Sequence, residues 1–126
     1  MKKIILLLAF YASFIQAKNQ DANPVVEELK LVANAINQNT PRVVDDNATL
    51  MLVEQEGLKL TYIMQLNGLV EDLEKFDLKT KTYIKSNLCK DKAMAYFTEN
   101  NVEMEYSYLD IEGLPVTRFQ IDLTTC

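Results

Sequence analysis

The chain is 126 residues long, carries 18 acidic against 13 basic side chains, and contains no histidine and only two cysteines. That length provides one hydrophobic core and no second one, and the acid excess repels phosphate backbones, which argues against nucleic-acid binding. The missing imidazole removes the commonest general base and metal ligand near neutral pH, and with it the usual hydrolytic triads.

Met1-Lys2-Lys3, the apolar run from Ile4 to Ile15 and then Gln16-Ala17 have the order of a secretory signal peptide. The run is about a dozen residues, short of the ~20 that a membrane-crossing helix needs, and polar Lys18-Asn19-Gln20-Asp21 follows at once. Residues 1–17 are therefore expected to be cleaved, leaving a chain with no membrane insertion in the periplasm or outside the cell. No cysteine directly follows the run to carry a lipid. Loss of the two leader lysines leaves eleven basic against eighteen acidic side chains, an acidic surface suited to solubility and to a basic partner.

Residues 18–24 are polar and aperiodic and read as a flexible leader to a single domain over 25–126. Asn23-Pro24 has the chemistry of a helix cap followed by proline at the first helical position. Val25, Leu29, Val32, Ala33 and Ile36 then recur at helical spacing, and Thr40-Pro41 forbids continuation. Asp45-Asp46-Asn47 marks a turn before a strand-like run, Thr49 to Glu54, and Gln55-Glu56-Gly57 turns the chain again. Leu58, Leu60, Tyr62, Met64 and Leu66 alternate with Lys59, Thr61, Ile63 and Gln65, the period of a strand with one buried face. Together the two runs predict an antiparallel hairpin.

Leu69 to Phe76 fits no single pattern, and a helix is predicted from about Asp77 to Cys89, with Asp77 as its cap. Asp91 caps a shorter helix, Lys92 to Thr98, and Asn100-Asn101 tolerates a left-handed exit. Val102, Met104, Tyr106 and Tyr108 alternate with Glu103, Glu105 and Ser107. Asp110-Ile111-Glu112-Gly113 then turns into Leu114 to Leu123, a second hairpin. The predicted fold is α+β, with helices packed on an antiparallel sheet of two hairpins in the order α-ββ-α-α-ββ.

Cys89 and Cys126 are expected to form one disulfide, because an export signal sends both to an oxidising compartment. Pairing also removes both as nucleophiles, and no Cys-x-x-Cys redox motif is present. Ser86 and Ser107 lie outside any Gly-x-Ser-x-Gly setting. Asp45 with Asp46, or Glu103 with Glu105, are the available acid pairs for a carboxylate-dependent hydrolase, though alternation on a strand explains the second pair more simply. Asp45-Asp46-Asn47 lacks the spacing of a calcium loop. No cofactor or metal site is expected.

Thr40-Pro41-Arg42-Val43-Val44-Asp45, the Leu60-Thr61-Tyr62 strand, Leu88-Cys89 and Tyr106-Ser107-Tyr108-Leu109-Asp110-Ile111-Glu112-Gly113 carry a resemblance. The sequence from Lys18 onward resembles a loose group of small exported proteins of Gram-negative bacteria. That resemblance implies a periplasmic or secreted location and supplies no catalytic residues. The expectation is a non-enzymatic protein-interaction module, an accessory factor of an envelope or secretion assembly such as a pilotin-like part. The alternative within binding is an inhibitor or immunity protein that covers a basic enzyme or toxin. The expected partner contacts are Glu103, Glu105, Tyr108 and Asp110, on the last hairpin.

Overall fold

The computed structural model describes residues 23–126, so the expected signal peptide, 1–17, and positions 18–22 of the expected flexible leader lie outside the described residues. Helix α1 (Pro24–Asn37) opens where the Asn23 side chain accepts the Val25 N–H at 2.8 Å and proline fills the first position. It buries Val25, Leu29 and Ala33. The chain then forms β1 (Arg42–Val43), β2 (Ala48–Glu56) and β3 (Lys59–Leu66), followed by helices α2 (Leu73–Cys89) and α3 (Met94–Glu99). Strands β4 (Glu103–Leu109) and β5 (Pro115–Ile121) and a 3-10 turn (Leu123–Thr125) complete it. Gly57, at φ +59°, occupies the two-residue turn between β2 and β3, where a side chain would be strained.

The five strands lie in the order β1-β2-β3-β4-β5. Both expected hairpins form, β2 with β3 and β4 with β5. The all-antiparallel sheet does not, because β3 and β4 run parallel from Lys59 beside Glu103 to Gln65 beside Leu109. The reason lies in what the two strands must bury. Leu60 and Met64 of β3 and Met104, Tyr106 and Tyr108 of β4 all point to one face and are nearly inaccessible, so both strands take central positions. A parallel pair needs a long crossover, and residues 67–102, with α2 and α3, supply it.

Helix α2 also begins earlier than Asp77. Asp72 is its cap, accepting the Lys75 N–H at 3.1 Å, so the ambiguous Leu73 to Phe76 is its first turn. Asp91 accepts the Ala93 N–H at 2.9 Å just before α3. Asn101 leaves α3 through the left-handed region at φ 57°, as its side chain allows.

All three helices lie on one side of the sheet. Leu29 of α1, Ile84 of α2 and Phe97 of α3 join Leu60, Met64, Met104 and Tyr106 in one core. Tyr62 stacks on Tyr106 at 5.0 Å, Phe119 lies 5.9 Å from Tyr108, and Phe76 meets Tyr108 edge-on at 5.4 Å. Burial raises the phenol pKa of Tyr62, Tyr106 and Tyr108. Neighbouring Tyr62 and Tyr108 add to the effect at Tyr106, and Asp45 adds to it at Tyr108.

Two devices tie the edges down. Cys89 and Cys126 form the expected disulfide, with Cα atoms 5.5 Å apart, joining the end of α2 to the last residue. At the other edge, the Asn37 side chain accepts the Val53 N–H and donates to the Val53 carbonyl, each at 2.8 Å. Its amide stands in for a neighbouring strand where β1 has ended, blunting an otherwise open edge.

Candidate functional site

The far side of the sheet carries no helix among the described residues. Strand register sets its side chains out as a grid, with neighbours across strands ~4.8 Å apart and successive rows two residues apart along each strand. One row reads Glu54, Thr61, Glu105, Gln120 across β2 to β5. The row towards the Gly57 turn reads Glu56, Lys59, Glu103. On the other side come Leu52, Ile63, Ser107 and Arg118, and beyond them Thr49, Gln65 and Leu109. The face therefore has a charged end and a more apolar end, the latter carrying Leu52, Ile63 and Leu109 away from the core.

The apolar end continues into three loops laced together by backbone and side-chain hydrogen bonds. Val44 N–H reaches the Ala48 carbonyl, Asn67 N–H the Asn47 carbonyl, and Ile111 N–H the Gly68 carbonyl at 3.3 Å. Gln65 Nε2 holds the Asp110 and Ile111 carbonyls from β3. These loops and their flanks expose Val43, Leu69, Ile111 and Leu114 to water. Exposed apolar side chains gathered at one end of a small domain mark an interaction surface more often than chance scatter does.

At the charged end sits Glu105, whose residue is only 6 % exposed although no helix covers it. Thr61 beside it is equally buried. Lys59 Nζ lies 3.6 Å from Glu105 Oε2 and Arg118 Nε lies 3.2 Å from Oε1. Neither contact is an aligned hydrogen bond, so buried Oε1 has a cation beside it but no donor in line with it. A cleft of about 390 Å³, lined by Glu54, Gln55, Glu56, Lys59, Thr61, Glu105 and Arg118, opens beside it.

The four expected contact residues separate on this structure. Glu103 is exposed and Glu105 lies buried beside it on the uncovered face. Tyr108 points the other way, into the core, at 5 % exposure. Asp110 is half-buried and its carboxylate accepts the Glu112 and Leu114 N–H groups at 2.8 and 3.0 Å, holding the β4–β5 turn. Asp45 does the same for its own turn, accepting Asn47 and Ala48 N–H groups at 2.7 and 2.9 Å. In the sequence nothing marks Lys59 and Thr61 as a site: both lie on the polar side of an alternating strand, Thr61 within the Leu60-Thr61-Tyr62 segment that carries the resemblance. The parallel register that sets Thr61 against Glu105 leaves no mark in the sequence.

Among the described residues no helix is long and apolar enough to cross a membrane, and no group of three or more Cys, Asp or Glu is placed to hold a metal ion. No protein-family model and no curated protein sequence matches the chain. Its fold recurs in solved structures of low sequence identity. A Pseudomonas aeruginosa protein classed as secreted superposes with a TM-score of 0.68 at 16 % identity, over 81 % of this chain and 92 % of that one. The pilotin EpsS of the Vibrio vulnificus type 2 secretion system gives 0.66 at 10 % identity, over 81 % and 91 %. The type II secretion system pilotin AspS of Vibrio cholerae gives 0.56 at 12 %, over 81 % and 95 %.

Proposed function

We propose that the chain is an exported, non-enzymatic interaction module, an accessory factor of a secretion assembly, and that it meets its partner through the uncovered face of the sheet. The observation that carries this reading is the one-sided architecture. Three helices bury one face, while the other presents Leu52, Ile63 and Leu109 beside a charged row. A half-covered sheet with an apolar strip is suited to receiving a segment of another protein. The sharing of this fold with two pilotins of type II secretion systems supports the kind of assembly. The exported location is supported by the leader and by the fold's presence in a protein classed as secreted. A hydrolase reading fares less well, since Asp45 is engaged in its turn and Glu105 is flanked by two cations.

The test is capture of partners from envelope extract of the host by the exported protein, at low and high salt, with identification by mass spectrometry. A secretion-assembly component held at both salt levels is the expected result. A basic enzyme held only at low salt would replace this reading with that of an inhibitor or immunity protein, since long-range attraction between exposed charges is screened. Capture of neither would refute both.

A further inference from the structure

We infer that the cleft beside Glu105 is an anchoring site for an arginine side chain of the partner protein, with Arg118 as the residue that the incoming guanidinium displaces. This deepens the proposed function and rests on it. Three observations converge. Glu105 Oε1 is buried, lines the cleft and has no aligned donor. A buried carboxylate oxygen whose ion-pair partner is out of line is left short of a hydrogen bond, and a ligand that supplies an aligned donor recovers that cost. The cations now beside it are poorly placed, with Lys59 at 3.6 Å and Arg118 offering only Nε at 3.2 Å from a side chain that is itself 61 % exposed. Finally, the two charged rows carry Glu54, Glu56, Glu103 and Glu105 against Lys59 alone, with Arg118 reaching in from the next row. Once Arg118 leaves, four carboxylates face one cation.

Such a site selects guanidinium over ammonium. A planar fork delivers two parallel N–H donors to one carboxylate and turns its remaining donors to neighbouring acceptors, whereas an ammonium is a compact point charge that keeps its water more firmly. Glu54 shares the row of Glu105 across Thr61 and supplies the next acceptor. The cleft volume falls within the range of about 300–1,000 Å³ typical of sites that hold small groups.

The probe is N-acetyl-arginine methylamide, titrated into isotope-labelled protein that was exported with its own leader and purified from a bacterial periplasm. Amide shifts confined to Glu54, Thr61, Glu105 and Arg118 and saturating in the millimolar range are expected. The matching lysine compound should bind several-fold more weakly. Arg118→Ala removes the competitor and should tighten the probe about threefold or more, the opposite sign from a site in which Arg118 helps to bind. Glu105→Gln should weaken it about tenfold. If that variant does not fold, the sign of the Arg118→Ala effect alone decides. Absence of saturable shifts, or weaker binding on Arg118→Ala, overturns the inference. Envelope capture with Glu105→Gln separates the two levels. An assembly component held as well as by the unmodified protein leaves the interaction reading intact and removes the anchor. Probe binding without any captured component supports the anchor and removes the assembly.

Discussion

Replacing both cysteines by alanine removes the one covalent tie between the helical crossover and the end of the chain. Cys89 and Cys126 are 37 residues apart in sequence, and closing a loop of that length restricts the unfolded chain by about 4 kcal/mol in the loop-entropy model. The ring contains α3, β4 and β5, which supply much of the core. Noncovalent anchorage at the same place comes from apolar burial. Leu123 is the buried residue of the final turn, worth about 2 kcal/mol, and Ile84 is the buried residue of α2. The covalent term is therefore larger than the burial of Leu123, the core residue that the final turn itself supplies. For a domain of this size, the entropy of unfolding converts 4 kcal/mol into a drop in Tm of about 15–20 °C. Thermal unfolding of the double variant followed by circular dichroism, alongside the native protein with and without reductant, measures it. A drop below about 5 °C would show that packing of Leu123 and α2 already fixes the tail, and would refute the assignment of the tie to the disulfide.

Asn37→Ala strips the β2 edge of its amide partner and should cost about 1–2 kcal/mol, read as a lower urea midpoint with little change in slope. An unchanged midpoint would mean that water serves Val53 equally well. Asp72→Ala removes the cap of α2 and should cost about 1 kcal/mol, the usual value of an N-cap carboxylate; the same urea experiment checks it. Alkaline stability should follow the buried phenols. The native pKa values of Tyr62, Tyr106 and Tyr108 are raised above the unfolded value near 10, so the native state holds more protons above that pH. Their contribution is whole below about pH 10 and is lost as pH climbs beyond it towards the native values. Tyrosinate absorbance of these three should appear together with loss of near-ultraviolet dichroism, and ionisation in the folded state would contradict their burial.

Local chemistry made much of this fold legible. Asn23-Pro24 fixed the start of α1, the alternation from Leu58 to Leu66 and from Val102 to Tyr108 pointed to both hairpins, and the expectation of export, with two cysteines, pointed to the disulfide. What stayed hidden was pairing between distant segments. Alternation shows that β3 and β4 each have one buried face but carries no information on which strand lies beside which, or in which direction. The site was hidden for the same reason. Glu103 and Glu105 stood out as acids on an outward face, yet Thr61 and Lys59 of β3 reach Glu105 only after the parallel pairing is made, and only then does Arg118, arriving across the β4–β5 hairpin, face a buried carboxylate. Tyr108 illustrates the converse. Its alternation partners are the core residues Met104 and Tyr106, so its ring faces inward despite its place in an acidic hairpin.

The most direct measurement is photo-crosslinking in intact cells of the host, with a photoreactive residue placed at Ile63 on the uncovered face or at Leu31 on the exposed side of α1. Crosslinks from position 63 to a component of the secretion assembly, and none from position 31, are the predicted result. The reverse pattern, or equal labelling from both positions, would contradict the assignment of the uncovered face as the surface through which this protein works.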